Sequence, residues 1–287
     1  MANVRGKQID NTHLSIDQAE ARGFLHRDYI AHCLRWTHVC RHLQRSGLYK
    51  TADVLDIGCG KEVPLAKLMY SSRLVPVTGS YTGIDVNKLS VPDMFHTGKF
   101  DIELIGETDV CEHDFGGSTF AVITCFEVLE HVEPEHSLRI LRKIKNLLEP
   151  GGKAFLSTPC YDPDMGAAAN HVNEMSYEAF GSMIEHAGLQ IENKFGTFAS
   201  MKDYKHLLSP AEEAIFNRLR DYYDTNYLAT IFAPLFPHAS RNCIWEVTKE
   251  RTLILENEFP LLSELGGAEH SSSSTWETFI NNLSTKE

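Results

Sequence analysis

The sequence predicts an α/β fold: a mostly parallel sheet of seven strands with helices on both faces. Three observations carry that expectation. Between positions 53 and 160, short β-rich runs alternate with helix-compatible segments. The first run, Val54-Leu55-Asp56-Ile57, passes directly into Gly58-Cys59-Gly60, the glycine-rich turn of a strand that hands over to a helix. The clearest helix, from about Pro134 to Leu148, places Leu138, Leu141, Ile144 and Leu148 on one face and is stopped by Pro150-Gly151-Gly152.

Taken in chain order, Ser15 and Gln18 form a capping box, and a helix is predicted from Asp17 to Ser46, bent at Gly23 and ended by Gly47. Strands are predicted at Asp53 to Ile57, Tyr81 to Val86, Asp101 to Ile105, Phe120 to Cys125 and Lys153 to Thr158. A loop from Cys160 to Val172 then leads to a helix from about Ser176 to Ala187 and a strand from Leu189 to Ala199. Residues 203–232 read as a helical insertion with Tyr204, Phe216, Tyr222, Tyr223 and Tyr227, and a last strand spans Asn242 to Thr248. The expected organisation is a helical cover (1–50), one α/β domain (51–250) and a polar tail (251–287), in which the order signal fades from about Glu256.

Composition bounds the function. With 43% hydrophobic and 23% charged residues, the 287-residue chain is globular rather than disordered. Its 27 basic and 39 acidic residues give a formal charge of −12, which argues against an extended surface that tracks nucleic-acid phosphates. The first 50 residues are the exception at +4, and they leave an anionic acceptor or a nucleic-acid end open. Seven scattered cysteines without a CxxC pair suit a reducing compartment. The N-terminus has no apolar core of a signal peptide, and no run approaches the roughly 18 residues of a membrane span; a cytoplasmic protein without membrane partners is expected.

The glycine turn carries the chemistry. Two glycines let backbone approach a ligand, and the helix that follows offers unpaired N–H groups. A dinucleotide fingerprint would need glycine at Val63, and a phosphate-binding P-loop would need Ser or Thr at Glu62, so spacing disfavours both. What remains is Asp56, the two glycines, and a second acid, Asp85, at the end of the next strand, where it can accept hydrogen bonds from ribose hydroxyls. An adenosine-like ligand without a pyrophosphate is the consequence.

The ordered segments VLDIGCG, YTGIDV, ETDV, FAVITCFEVLEHV and LLEPGGKAFLSTP, over about residues 52–160, resemble the class I S-adenosylmethionine-dependent methyltransferases. The resemblance implies a Rossmann-like methyltransferase fold whose last strand is antiparallel, with a helical N-terminal cover and a helical insertion before the last strand. It implies S-adenosylmethionine as cofactor, its methionine part lined by Gly58, Cys59 and Gly60 with Asp56 supporting the turn. Asp85 and the adjoining Val86 would hold the ribose side, Asp109 and Val110 the adenine, and Cys125, Phe126 and Glu127 would close the pocket. Glu62 stands where many members carry a third glycine. Cys59 and Cys125 are read as small residues that fit tight backbone, not as nucleophiles.

A sulfonium methyl is already electrophilic, so transfer rests largely on positioning, with base assistance for a hydroxyl acceptor. Glu130, His131 and His171 are the leading catalytic candidates, with Tyr161 and Asp162 beside them in the loops that follow the fourth and fifth strands. The same residues with Glu127 resemble the metal motif of Hen1-type small-RNA 2′-O-methyltransferases. A metal-free site and a small-molecule acceptor are the preferred expectation. An RNA acceptor, a non-catalytic cofactor-binding scaffold, and transfer of the aminocarboxypropyl arm are the rivals. The DNA-amine signature Asn/Asp-Pro-Pro-aromatic is absent after the fourth strand, and Pro159-Cys160 lies after the fifth, the wrong place for a cytosine nucleophile. Tyr29 or Arg35 is expected to reach the cofactor carboxylate, and His38 and His42 to lie on a partly solvated helix face.

Overall fold

The computed structural model describes residues 27–48, 51–71, 79–90, 101–164, 166–199, 203 and 205–249. The elements follow in the order α1 (Arg27–Ser46), β1 (Val54–Ile57), α2 (Pro64–Ser71), β2 (Ser80–Ile84), β3 (Asp101–Ile105), β4 (Phe120–Phe126), α3 (Pro134–Leu147), β5 (Leu148–Pro159), α4 (Tyr177–His186), β6 (Gln190–Phe198), α5 (Pro210–Leu219), α6 (Thr225–Phe232) and β7 (Asn242–Thr248). The capping box at Ser15, the bend at Gly23 and the polar tail lie outside the described residues.

The seven strands form one sheet in the order β3-β2-β1-β4-β5-β7-β6. β1 to β5 run parallel, and β7 pairs antiparallel with both β5 and β6. The order reverses between β1 and β4, which makes the C-terminal edge there the place where an open α/β sheet receives a ligand. Strand composition follows position. β1 and β4 are buried almost throughout and are mainly apolar, interrupted by Asp56 and Thr124, whereas β3, at the edge, is half exposed and carries Asp101 and Glu103.

One large apolar cluster joins β1, β4 and β5 to α3 and α4 through Leu55, Ile123, Leu141, Ile144, Phe180 and Met183. Each such fully buried side chain contributes roughly 1.5–3 kcal/mol relative to exposure. A second cluster contains Val39 and Leu43 of α1 with Val54, Leu65, Tyr81 and Phe155, and so fastens α1 against the sheet.

Three details add to what the sequence predicts. The segment after α3 extends as strand from Leu148, because Leu148 pairs with Phe120 across a register shift and Gly151 takes a φ of 75°. His38 and His42 are half-buried, as a partly solvated helix face implies, and their inner sides meet the sheet: both pack against Phe155, and His38 also against Phe195. The charged group Lys153, Glu192 and Glu246 lies beneath them and makes that stretch of sheet polar enough to receive imidazoles. In the insertion, Phe216 is buried and meets Phe232, but Tyr222 is 77% exposed and Tyr223 stacks on Tyr227 at the surface. Tyr204 lies outside the described residues.

Candidate functional site

The glycine turn is tied to the end of β2. Gly58 adopts φ 69°, and a Cβ there would lie 2.2 Å from Val128 Cγ2, so both conformation and space require glycine. The N–H groups of Gly58 and Cys59 donate to Ile84 O at 2.8 and 3.3 Å. Gly60 N–H donates to Asp85 Oδ2 at 2.9 Å, while Asp85 Oδ1 accepts from Asn87 N and Nδ2 at 2.8 and 3.0 Å. Val63 takes φ 44°, the left-handed region, although it is β-branched and wholly buried. Glu62 is exposed and pairs with Lys67 at 3.3 Å across the start of α2.

Below the turn, Asp56 accepts hydrogen bonds from Tyr81 Oη and Thr124 Oγ1, each at 2.6 Å. Burial pushes its carboxyl up to about 6, against the pull of those two donors. Burial likewise raises the Cys59 and Cys125 thiols, so neither is available as a thiolate. Asp109 Oδ1 accepts from Cys111 N at 2.8 Å, and its Oδ2 lies 3.1 Å from His136 Nε2. Val110 is part of the core, and Val86 is 66% exposed beside Asp85.

Glu127 closes β4 with φ 57°. Its Oε1 accepts from Ser157 Oγ at 2.7 Å and, with Oε2, from Asn242 Nδ2 at 3.0 Å. Arg35 of α1 is only 2% exposed and brings Nη1 to 3.6 Å from Glu127 Oε1. Its Nε is buried with no hydrogen-bond partner, and Nη2 donates to His32 Nδ1 at 2.5 Å. The side chain of Tyr29 lies outside the described residues.

The two loops meet at Glu130, His131 and His171, whose ligand atoms lie within 4.8 Å of one another. Val172 N and Asn173 N donate to Glu130 O at 2.9 and 3.1 Å, and Asn173 Nδ2 reaches Leu129 O and Ser137 Oγ at 3.3 and 3.1 Å. These bonds fix one loop on the other. Glu130 is 1% exposed, with Oε1 3.9 Å from His131 Nε2 and Oε2 unpartnered. Burial, with Glu127 adding like charge, holds its carboxyl well above the usual range. His131 Nδ1 faces Asn170 O at 3.1 Å, His171 Nδ1 faces Glu174 Oε1 at 2.5 Å, and the two rings meet edge to face at 4.7 Å. Among the described residues, Asp109, Cys111 and His136 form the other group with ligand spacing.

Of the remaining candidates, Asp162 lies 3.6 Å from Arg241, which also grips Asp203 through two bonds of 2.9 Å and so links this loop to the insertion. Tyr161 is half-buried, with its N–H on Met175 O. Sequence reasoning missed Ser157, Asn242 and Glu174. The first two come from β5 and β7 and meet Glu127 only through sheet register, whereas Glu174, three residues after His171, was legible as a partner by spacing alone.

The chain matches the methyltransferase domain family over residues 31–209. Over 116 residues it is 34% identical to a ubiquinone biosynthesis O-methyltransferase of Yersinia pestis (strain Pestoides F), a stretch covering 40% of this chain and 46% of that relative. The alignment thus spans about half the length of the curated relatives. Among solved structures, the small RNA methyltransferase HEN1 superposes with a TM-score of 0.50 at 14% identity, over 86% of this chain and 27% of that one, a likeness of fold alone. Magnesium protoporphyrin IX methyltransferase of Synechocystis PCC 6803 gives 0.49 at 12% identity, over 83% and 89%. Among the described residues no helix is long and apolar enough to cross a membrane.

Proposed function

Because the chain belongs to the class I S-adenosylmethionine-dependent methyltransferase family, we propose that it transfers the methyl group of S-adenosylmethionine to a hydroxyl oxygen of a small-molecule acceptor. The observation that carries this reading is the convergence of Glu130, His131 and His171 at the ligand-receiving edge of the sheet. Two imidazoles beside a buried carboxyl suit an acceptor that must lose a proton. The O-methyl chemistry in the Yersinia relative's name agrees with it.

The residues fit the cofactor. A Cβ at Gly60 would meet nothing nearer than Pro64 Cδ at 4.0 Å, so the turn leaves room beside its backbone. Asp85 uses three of its roughly four acceptor positions on Gly60 and Asn87, which leaves one for a ribose hydroxyl. The unpartnered Nε of Arg35 suits the carboxylate of the methionine arm. Asp109 and Val110 are assigned to the adenine, Val86 to the rim of the same pocket, and Gly58, Cys59, Cys125 and Glu127 to its walls. When bound, the cofactor supplies an electrophilic methyl group, so the chain need provide no nucleophile. One of His131 and His171 takes the acceptor's proton, their rings held by Asn170 O and Glu174 Oε1, with the Glu130 carboxyl beside them.

The same cluster favours a second reading, in which Glu130, His131 and His171 hold a divalent cation. The unpartnered Oε2 of Glu130 supports it. Glu127 does not join them in this arrangement, being engaged by Ser157, Asn242 and Arg35. A cation there would acidify a hydroxyl bound to it. Incubation with methyl-labelled S-adenosylmethionine and a panel of phenols, catechols, aliphatic alcohols and total RNA tests the function. Label in a phenol or alcohol supports the first reading, and label confined to RNA or to amines contradicts it. Elemental analysis of chelator-free protein decides the cation: fully active, metal-free enzyme excludes it.

A further inference from the structure

Glu174, three residues after His171, is the most fully enclosed acid near the two histidines, at 0% exposure. A carboxylate taken wholly out of water carries a desolvation cost of several kcal/mol unless specific bonds offset it. Here Oε1 accepts from two donors, Ala168 N at 2.9 Å and His171 Nδ1 at 2.5 Å. Oε2 is buried without a partner.

We propose that Glu174 is a positioning residue that holds the neutral His171 ring as the Nδ1–H tautomer, so that Nε2 is the lone-pair atom turned toward Glu130 and His131. The first step is geometric. As a carboxylate Glu174 can only accept, its Oε1 takes the Ala168 N–H, and the short contact to His171 is then a donation from Nδ1–H. The second is comparative. His131 reaches the same tautomer by another route, since its Nδ1 faces the carbonyl oxygen of Asn170, which can only accept. Two adjacent rings, fixed by unrelated partners, therefore present the same nitrogen. The third is chemical: an imidazole with no partner on Nδ1 favours the opposite tautomer in water, so the arrangement needs a cause, and Glu174 supplies it for His171. Fixing a ring this way is how an outer carboxylate sharpens a histidine that binds a cation or accepts a proton.

The functional meaning rests on reading the cluster as the acceptor-side site, but the tautomer does not, and the test separates the two. Long-range proton–nitrogen correlation spectra of 15N-histidine-labelled full-length protein, at a pH where the ring is neutral, report which nitrogen of His171 is protonated; His171→Gln assigns the signal. The wild type is expected to show Nδ1 protonated and Nε2 bare. Glu174→Met is expected to move His171 to the Nε2–H form or to a mixture, and Glu174→Gln, whose amide oxygen still accepts, to restore the wild-type pattern. A wild-type spectrum with Nε2 protonated overturns the proposal without recourse to any variant. So does a folded Glu174→Met protein that retains the wild-type pattern, because Glu174 would then be structural filling. If instead the tautomer behaves as stated while His171→Gln methylates a phenol or alcohol acceptor at the wild-type rate, the reading of the cluster fails and the positioning role of Glu174 stands.

Discussion

Tyr81 donates its hydroxyl to Asp56 from the neighbouring strand at 2.6 Å, with both side chains closed off from water beneath the glycine turn. Together with Thr124, the pair fixes the motif acid beneath the turn. Because burial lifts Asp56 to about 6, above its ordinary 3.8, the folded state binds the proton more tightly than the unfolded chain. Its contribution to stability is complete below the unfolded value and is lost as pH rises through about 6. Asp56→Asn, which stays within reach of both hydroxyls, is expected to remove that dependence. Melting curves between about pH 4 and pH 7.5 should show the variant gaining on the wild type toward neutral pH, by on the order of 2 kcal/mol.

Gly58 faces two obstacles to substitution, its φ of 69° and the 2.2 Å approach of a new Cβ to Val128 Cγ2. Gly58→Ala should cost on the order of 2–5 kcal/mol in stability. Because Val128 lies next to Glu127, cofactor affinity should fall in the variant even under conditions where it stays folded. Chemical denaturation paired with calorimetry checks both effects.

His38 and His42 work in the opposite direction from Asp56. Burial lowers both from 6.5; Glu246 raises both and Glu192 raises His42, while Arg41 and Arg45 lower His38 and Lys153 lowers His42. The unfolded chain therefore binds their protons more tightly, so their contribution is present above about pH 6.5 and is lost as pH falls below it. The double variant His38→Gln, His42→Gln should lose less melting temperature between about pH 7.5 and pH 5.5 than the wild type. An unchanged acid-side slope would show that these rings do not govern it.

Arg35 and Asp85 are assigned to different parts of the cofactor, the carboxylate and the ribose, which gives them different ligand dependence. Arg35→Met should weaken S-adenosylmethionine roughly 10-fold or more, a charge-assisted hydrogen bond, and leave 5′-methylthioadenosine, which has no carboxylate, almost unaffected. Equal losses for both ligands would place Arg35 in the support of Glu127 instead.

Much of the fold was legible because parallel strands buried on both faces read as apolar runs, and β3 and β7 begin and end where the sequence put them. The glycine turn and Asp85 were legible because each depends on local spacing. The packing of the half-buried His38 and His42 on Phe155 was not, since it exists only once α1 lies on β5. The retention of Glu127 by Ser157 and Asn242 likewise exists only once β4, β5 and β7 are in register. Which rings of the aromatic insertion face inward was not legible either, because a tyrosine pattern does not distinguish the buried Phe216 from the exposed Tyr222.

The central claim is that Asp85, fixed to the glycine turn through Gly60, holds the ribose of S-adenosylmethionine. Isothermal titration calorimetry of the wild type and Asp85→Ala with that cofactor tests it most directly. The account predicts one saturable site in the wild type and an affinity loss of about 10-fold or more in Asp85→Ala, a charged hydrogen bond removed. No binding to the wild type, or equal affinity in a folded Asp85→Ala protein, would contradict it.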